Sequence, residues 1–177
     1  FVAGDQLSAF QEGVDFCRDI VVDRVEHEYD IVITSSAGYP LDTTFYQSVK
    51  GMMAAVPIVR AGGTIIMAAS MSEGIGSPEF TSLFDRHPDI DDFMLQIMSP
   101  EYFVMDQWQL EMLAKVLRKA EVKVVTDGLP AETINKLYVD AAESVELAVQ
   151  EALKKHGNDT SIAVIPRGPY VIPELSV

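Results

Sequence analysis

The chain has 177 residues, 48% of them hydrophobic, and a formal net charge of −14 from 27 acidic and 13 basic residues. That length fits one domain with enough surface to bury, roughly 70% of what the unfolded chain exposes, and the acidic balance excludes a nucleic-acid partner, which needs a positive surface. No apolar run reaches the ~20 residues of a membrane helix, no leader pattern is visible, and the single Cys17 cannot make an internal disulfide, so a reducing cytoplasm is the expected compartment.

Residues 5–20 read as a helix, with Leu7, Phe10, Val14 and Phe16 as a loose stripe and Asp5 as cap. "IVVDRVEH" reads as a short strand, and "DIVITS", 30–35, as a strand covered on both faces. Residues 42–60 form the next helix, capped by Asp42 and stopped by Gly62-Gly63. "TIIMAAS", 64–70, is a second buried strand. Ser77-Pro78 starts a helix over 79–98 that breaks near "RHPD". A helix over 106–120 leads to a third strand, "VKVVTD". "LPAETINKLY" and "DAAESVELAVQEALKKHG" are two more helices, the second with Ala141, Val145, Ala148, Val149 and Ala152 on one face. "SIAVIPRG" is a fourth strand and "YVIPEL" an extended tail.

Strands alternating with helices predict a doubly wound, mostly parallel α/β sheet with helices on both faces, a three-layer α/β/α domain spanning 1–177. Ligands bind such sheets at the carboxyl ends of the strands. Three loops qualify: 35–42, 70–78 and 127–130. On the helix after the first loop, Phe45, Val49, Met52, Met53 and Val56 make the apolar stripe. Gln47 and Lys50, three apart, share another face, and Tyr46 lies between the two. By pattern alone, Gln47 and Lys50 are either an ordinary solvated face or an amide and an ammonium aimed at an anionic ligand.

Other motifs are weaker. The loop "EGIGSPEF" places glycines before a helix start, like a phosphate cradle, but lacks the third glycine of a dinucleotide fingerprint and the lysine of a P-loop. His27, His87 and His156 are scattered, with no H-x-x-x-H pair and no cysteine cluster, so no metal site is expected in this chain. Trp108 is either an anchor on a helix stripe with Met112 and Val116 or an apolar wall for a ligand.

The string "DIVITSSAGYPLDTTFYQSVKGM" resembles the carboxyl-terminal domain of the lactate racemase family, nickel-pincer-nucleotide enzymes that racemise or epimerise 2-hydroxy acids. "GGTIIMAASMSEGIGSPEF", "DQWQLEMLAKVL" and "AVIPRGPYVIP" fit the same family in the same order. The pattern Y-P-L-D-x-x-x-Y-Q-x-x-K is the specific part.

The resemblance implies a two-domain enzyme with its active site in the cleft between the domains. It assigns the cofactor-bearing lysine, a nickel ligand and the acid and base histidines to an amino-terminal domain not contained in this chain. The implied mechanism is a hydride relay through the pincer carbon. Gln47 and Lys50 are then substrate-binding residues, with Tyr46 and Trp108 beside them. The chain begins at Phe1 and is expected to be a fragment, inactive alone, with its own amino-terminal domain and a small 2-hydroxy acid as partners. Two alternatives stay open: an independent nucleotide-binding domain served by "EGIGSPEF", and a non-catalytic module that uses the Gln47/Lys50 surface only for docking.

Overall fold

Residues 1–157 and 159–176 are described by a computed structural model. Helix α1 (Gln6–Val21) is capped by Asp5, whose carboxylate accepts from the Ser8 backbone N–H at 3.1 Å. Strands β1 (Val22–Val25) and β2 (Tyr29–Ser35) follow, then α2 (Phe45–Ala55) and β3 (Val59–Ala68). Helices α3 (Pro78–Arg86), α4 (Ile90–Gln96) and α5 (Gln107–Lys119) precede β4 (Ala120–Val125). The chain ends with α6 (Ala131–Ile134), β5 (Asp140–Ala141), α7 (Val145–His156), β6 (Ile162–Ile165) and β7 (Ile172–Leu175).

Five strands form one parallel sheet in the order β5-β4-β3-β2-β6, and β1 and β7 pair in parallel as a separate two-stranded ribbon. Alternation along the strands fills both faces. Val32, Ile65, Met67, Val122 and Val124 pack with Val49 and Met52 of α2 and Leu110 and Leu113 of α5. Ile31 and Ile66, out of phase with those, pack with Ala148 and Ala152 of α7. A strand covered on both faces must be apolar at every position, which is why "DIVITS" and "TIIMAAS" read as continuous runs. Each such side chain contributes about 1.5–3 kcal/mol on burial. The three-layer α/β/α reading of the sequence is the architecture observed. Among the described residues, no helix is long and apolar enough to cross a membrane.

Several boundaries differ from the sequence reading. The cap of α2 is Thr44, whose hydroxyl accepts from the Gln47 N–H at 3.2 Å; Asp42 instead accepts from the Ser70 N–H. α2 ends at Ala55 because Pro57 has no N–H to continue the ladder. Gly62 and Gly63 therefore do not stop a helix. They form a bulge in β3, which carries extra residues between the pairs Tyr29–Val59 and Ile31–Thr64. Gly62 has φ of +74°, and a Cβ on Gly63 would sit 2.8 Å from the Asp30 carbonyl oxygen. The predicted helix over 140–157 starts only at Val145, where Ser144 caps it, so Ala141 belongs to the edge strand β5. The helix predicted over "LPAETINKLY" shrinks to α6 and a 3-10 turn, Asn135–Leu137, closed by Tyr138 with φ of +61°. The tail is not merely extended: it is β7, paired with β1.

Candidate functional site

The three loops at the carboxyl ends of β2, β3 and β4 are laced together by backbone hydrogen bonds. The Met71 and Glu73 N–H groups donate to the Asp42 and Thr43 carbonyls at 2.7 Å each. In return, the Phe45 and Tyr46 N–H groups, in the first turn of α2, donate to Gly74 at 3.0 Å and Ile75 at 2.8 Å. The Thr126 hydroxyl, beyond β4, donates to the Ser70 carbonyl at 2.7 Å. Gly128 lies so close that a Cβ there would meet the Ser70 and Met71 carbonyl oxygens at 2.3 Å. The start of α2 is thus fixed by the neighbouring loop as well as by its own cap.

On that fixed start stand the residues read from the sequence. Lys50 is exposed, and its Nζ donates to Gln47 Oε1 at 2.6 Å while lying 5.7 Å from the centre of the Tyr46 ring. Trp108, on the first turn of α5, meets the same ring edge-on, with centroids 5.9 Å apart. It is 48% exposed, whereas Val116 further along α5 is fully buried. Trp108 is therefore at the rim of the cluster and not in the core stripe. The structure brings all four predicted residues, Tyr46, Gln47, Lys50 and Trp108, into one contiguous group.

Asp106 is a residue of this cluster that sequence reasoning missed. It takes the left-handed conformation, φ +66°, immediately before α5, and caps no helix N–H. Its carboxylate accepts from the Ser77 hydroxyl at 2.7 Å and lies 3.5 Å from the Tyr46 hydroxyl. Burial, with Asp106 beside it, pushes the Tyr46 phenol above its ordinary value, so it stays protonated. Gln109, fully buried, donates to the Tyr46 carbonyl at 2.7 Å and ties α5 to α2. Thr44, Tyr46, Glu73, Gly76, Ser77 and Asp106 line an open cleft of about 420 Å³ beside the cluster.

The segment leading into Asp106 and Trp108 has its own anchor. Buried His87 places Nδ1 2.6 Å from Asp92 Oδ2 and Nε2 2.7 Å from the Tyr102 hydroxyl. Tyr138 donates to the His87 carbonyl at 2.7 Å, and burial pushes its phenol up to about 12.

The loop "EGIGSPEF" is occupied by these same jobs. The Gly74 and Ile75 carbonyls hold α2, and the Ser77 hydroxyl caps α3 through the Phe80 N–H at 3.1 Å. The cleft in front of it carries the carboxylates of Glu73 and Asp106, which repel a phosphate. Nothing in this geometry favours the nucleotide-binding alternative. Among the described residues, no three His, Cys, Asp or Glu side chains group closely enough to hold a metal ion.

Fold and site together define a doubly wound α/β domain with a polar and aromatic cluster at the carboxyl edge of its sheet. The chain belongs to the lactate racemase C-terminal domain family, which it matches over residues 24–173. It is 37% identical over 172 residues to a lactate racemase of Thermoanaerobacterium thermosaccharolyticum and 33% identical over 176 residues to one of Lactiplantibacillus plantarum. Each comparison covers 96% of this chain but only 40% of the relative, so the chain spans about two fifths of those proteins. The structure of the T. thermosaccharolyticum lactate racemase apoprotein superposes with a TM-score of 0.87 at 36% identity, over 94% of this chain and 40% of that one. A protein from Thermotoga maritima shares the fold, with a TM-score of 0.62 at 13% identity.

Proposed function

We propose that this chain forms one wall of the substrate cleft of a lactate-racemase-like isomerase, and that Lys50 and Gln47 hold the carboxylate of a 2-hydroxy acid. The observation that carries the reading is the state of Lys50. Lys115, Lys119, Lys123, Lys136 and Lys155 are each paired with a carboxylate. Lys50 and Lys154, among the described residues, have none, and of these two only Lys50 stands in the polar and aromatic cluster, beside Gln47 and the Tyr46 ring, in a chain of net charge −14. Its ammonium is steadied by an amide oxygen, which leaves its charge uncompensated. With that oxygen engaged by Lys50, the Gln47 amide contributes only N–H donors. Ammonium and amide together form a site with donors and no free acceptor, which suits an anion with acceptor oxygens.

The remaining residues shape that site. Trp108 and the Tyr46 ring supply an apolar wall that excludes water on one side of the bound acid. Asp106 orients Tyr46 by accepting a hydrogen bond from its hydroxyl. These are positioning roles, and positioning alone contributes much of a rate enhancement. The nickel-pincer nucleotide that the resemblance implies has no ligand set among the described residues. It belongs, on this reading, to the amino-terminal domain of the full-length enzyme. The single thiol, Cys17, fits a cytoplasmic enzyme.

The test is steady-state kinetics on the full-length, cofactor-loaded protein with 2-hydroxy acids, comparing Lys50→Ala and Gln47→Ala. Losing a charge-assisted hydrogen bond costs about 1.5–3 kcal/mol and a neutral one about 0.5–1.5 kcal/mol. At 1.36 kcal/mol per factor of ten, Lys50→Ala should lower kcat/KM by about 10- to 150-fold, and Gln47→Ala by about 2- to 10-fold. Unchanged kcat/KM in the Lys50 variant would remove it from the site.

A further inference from the structure

None of the sixteen residues of α1 is buried, although the helix carries Leu7, Phe10, Phe16 and Ile20, exposed at 79%, 69%, 64% and 67%. At ~100° per residue, these side chains with Val14, Cys17 and Val21 cover about half of the helix circumference, and Cys17 lies near the middle of that arc. Phe10, Gly13, Val14, Cys17, Val21 and Ile172 line an open apolar groove of about 550 Å³. α1 is tied to the rest of the chain by an Arg18–Glu174 ion pair at β7 and not by a packed core. An apolar helix face left in water at this scale marks a surface that something covers.

The comparisons narrow down what covers it. The family match begins at Arg24, so α1 lies outside the C-terminal domain family. The lactate racemases nevertheless align over 96% of the chain, which leaves only about seven residues unaligned, too few to omit the sixteen of α1. The helix is therefore shared with whole lactate racemases but not counted in this domain. The chain also accounts for only 40% of those relatives, and the domain it matches is their carboxyl-terminal one. In those relatives the rest of the chain therefore precedes the counterpart of α1, where covalent attachment gives it a high effective concentration against that face.

We propose that the apolar face of α1 docks against the polypeptide preceding Phe1, the amino-terminal domain, so that α1 packs with that neighbour and the carboxyl-terminal domain proper starts at β1. This rests on reading the chain as part of a two-domain lactate-racemase-like enzyme. Cys17, an exposed thiol in the groove, is the probe. In the full-length protein, alkylation of Cys17 by iodoacetamide, followed by peptide mass spectrometry, should run roughly a hundredfold slower than in the urea-unfolded protein. The protection should be the same at low and high protein concentration. Phe10→Asp should restore fast alkylation, and in the wild type the α1 amides should exchange slowly with deuterium. Alkylation within a few-fold of the unfolded rate, or fast amide exchange in α1, would overturn the proposal. So would protection that disappears on dilution, because the covering partner would then be a second copy. Isomerase activity measured on the same sample separates this proposal from the function it rests on. Activity with a freely reacting Cys17 rejects the docking alone, and a protected Cys17 in a protein inert toward every 2-hydroxy acid supports the docking while rejecting the activity.

Discussion

Gly51→Ala places a methyl group where three backbone segments meet. Gly51 is buried within α2, and a Cβ there would lie 2.6 Å from the Ser35 carbonyl oxygen and 2.6 Å from Met67 Cε. Met67 is the end of a flexible side chain and can rotate away. Ser35 closes β2, is paired with Ala68 of β3, and cannot. Ordinary contact begins near 3.4 Å, so α2 would have to move off the sheet by about 0.8 Å. That movement stretches the hydrogen bond from the Thr34 hydroxyl to the Gly51 carbonyl, already 3.2 Å long. Two effects oppose each other. Alanine in a helix interior is favoured over glycine by about 0.5–1 kcal/mol, and overpacking costs typically 1–3 kcal/mol. The clash should win, with a net loss of about 1–2 kcal/mol. For a domain of this size that lowers Tm by about 2–8 °C. Thermal melts followed by circular dichroism, with urea unfolding as a second measure, give the answer. Because Lys50 precedes Gly51, the full-length variant should also lose substrate affinity. A variant that melts higher than the wild type would show that helix propensity dominates, and that the close seating of α2 on β2 is not what fixes Lys50.

Three further outcomes follow from the same geometry. Burial, Arg60 and Lys155 together hold the His156 imidazole below its ordinary 6.5, against the smaller opposing pull of Asp30 and Glu121. Its Nδ1 lies 3.0 Å from Arg60 Nη2 and its Nε2 2.8 Å from the Thr64 hydroxyl, so the neutral ring is the folded form. Its contribution is complete above the unfolded value and is lost as pH falls below it, and His156→Gln should flatten the decline of urea stability below about pH 6.5. His87→Ala removes the partner of Asp92 and Tyr102 and leaves a cavity, and should lower stability by about 2–4 kcal/mol in urea titrations. Trp108→Ala, at a half-exposed rim position, should change Tm by no more than about 3 °C while raising KM for the 2-hydroxy acid; a collapsed melt would show that Trp108 supports the fold.

The parts of the fold legible in the sequence are those set by burial. β2 and β3 stand out because both faces are covered, β4 because its buried Val122 and Val124 alternate with partly buried positions, and α3 because Ser77-Pro78 caps it. The errors fall where two local signals competed. Asp42 and Thr44 are both good caps, and only the bond from Ser70 shows that Asp42 is engaged elsewhere. A glycine pair after an apolar helix looks like a stop, and only the register of β2 on β3 reveals a bulge. Ala141 continues the period of α7, yet the cap at Ser144 and the pairing with Val124 place it in a strand. Gln47 and Lys50 could be paired from their spacing, because neighbours on a helix are a local property. The meeting of Tyr46 with Trp108 and Asp106, some sixty residues away, depends on how α5 lies against α2 and leaves no trace in spacing. Asp106 in particular looked like an ordinary helix start.

The ribbon of β1 and β7 turns the two ends of the domain into a lever. β7 follows the turn Gly168–Tyr170, and Gly168 sits so tightly on Ser35 and Gly51 that its own Cβ would fall 2.6 Å from the Ser35 carbonyl oxygen and 2.9 Å from the Gly51 Cα. A tug at β1, where a neighbouring domain would pull, passes along paired backbone to β7 and through that turn to the residue beside Lys50. A change in how β1 is held would then reach the backbone beside Lys50 without a separate motion of the helix.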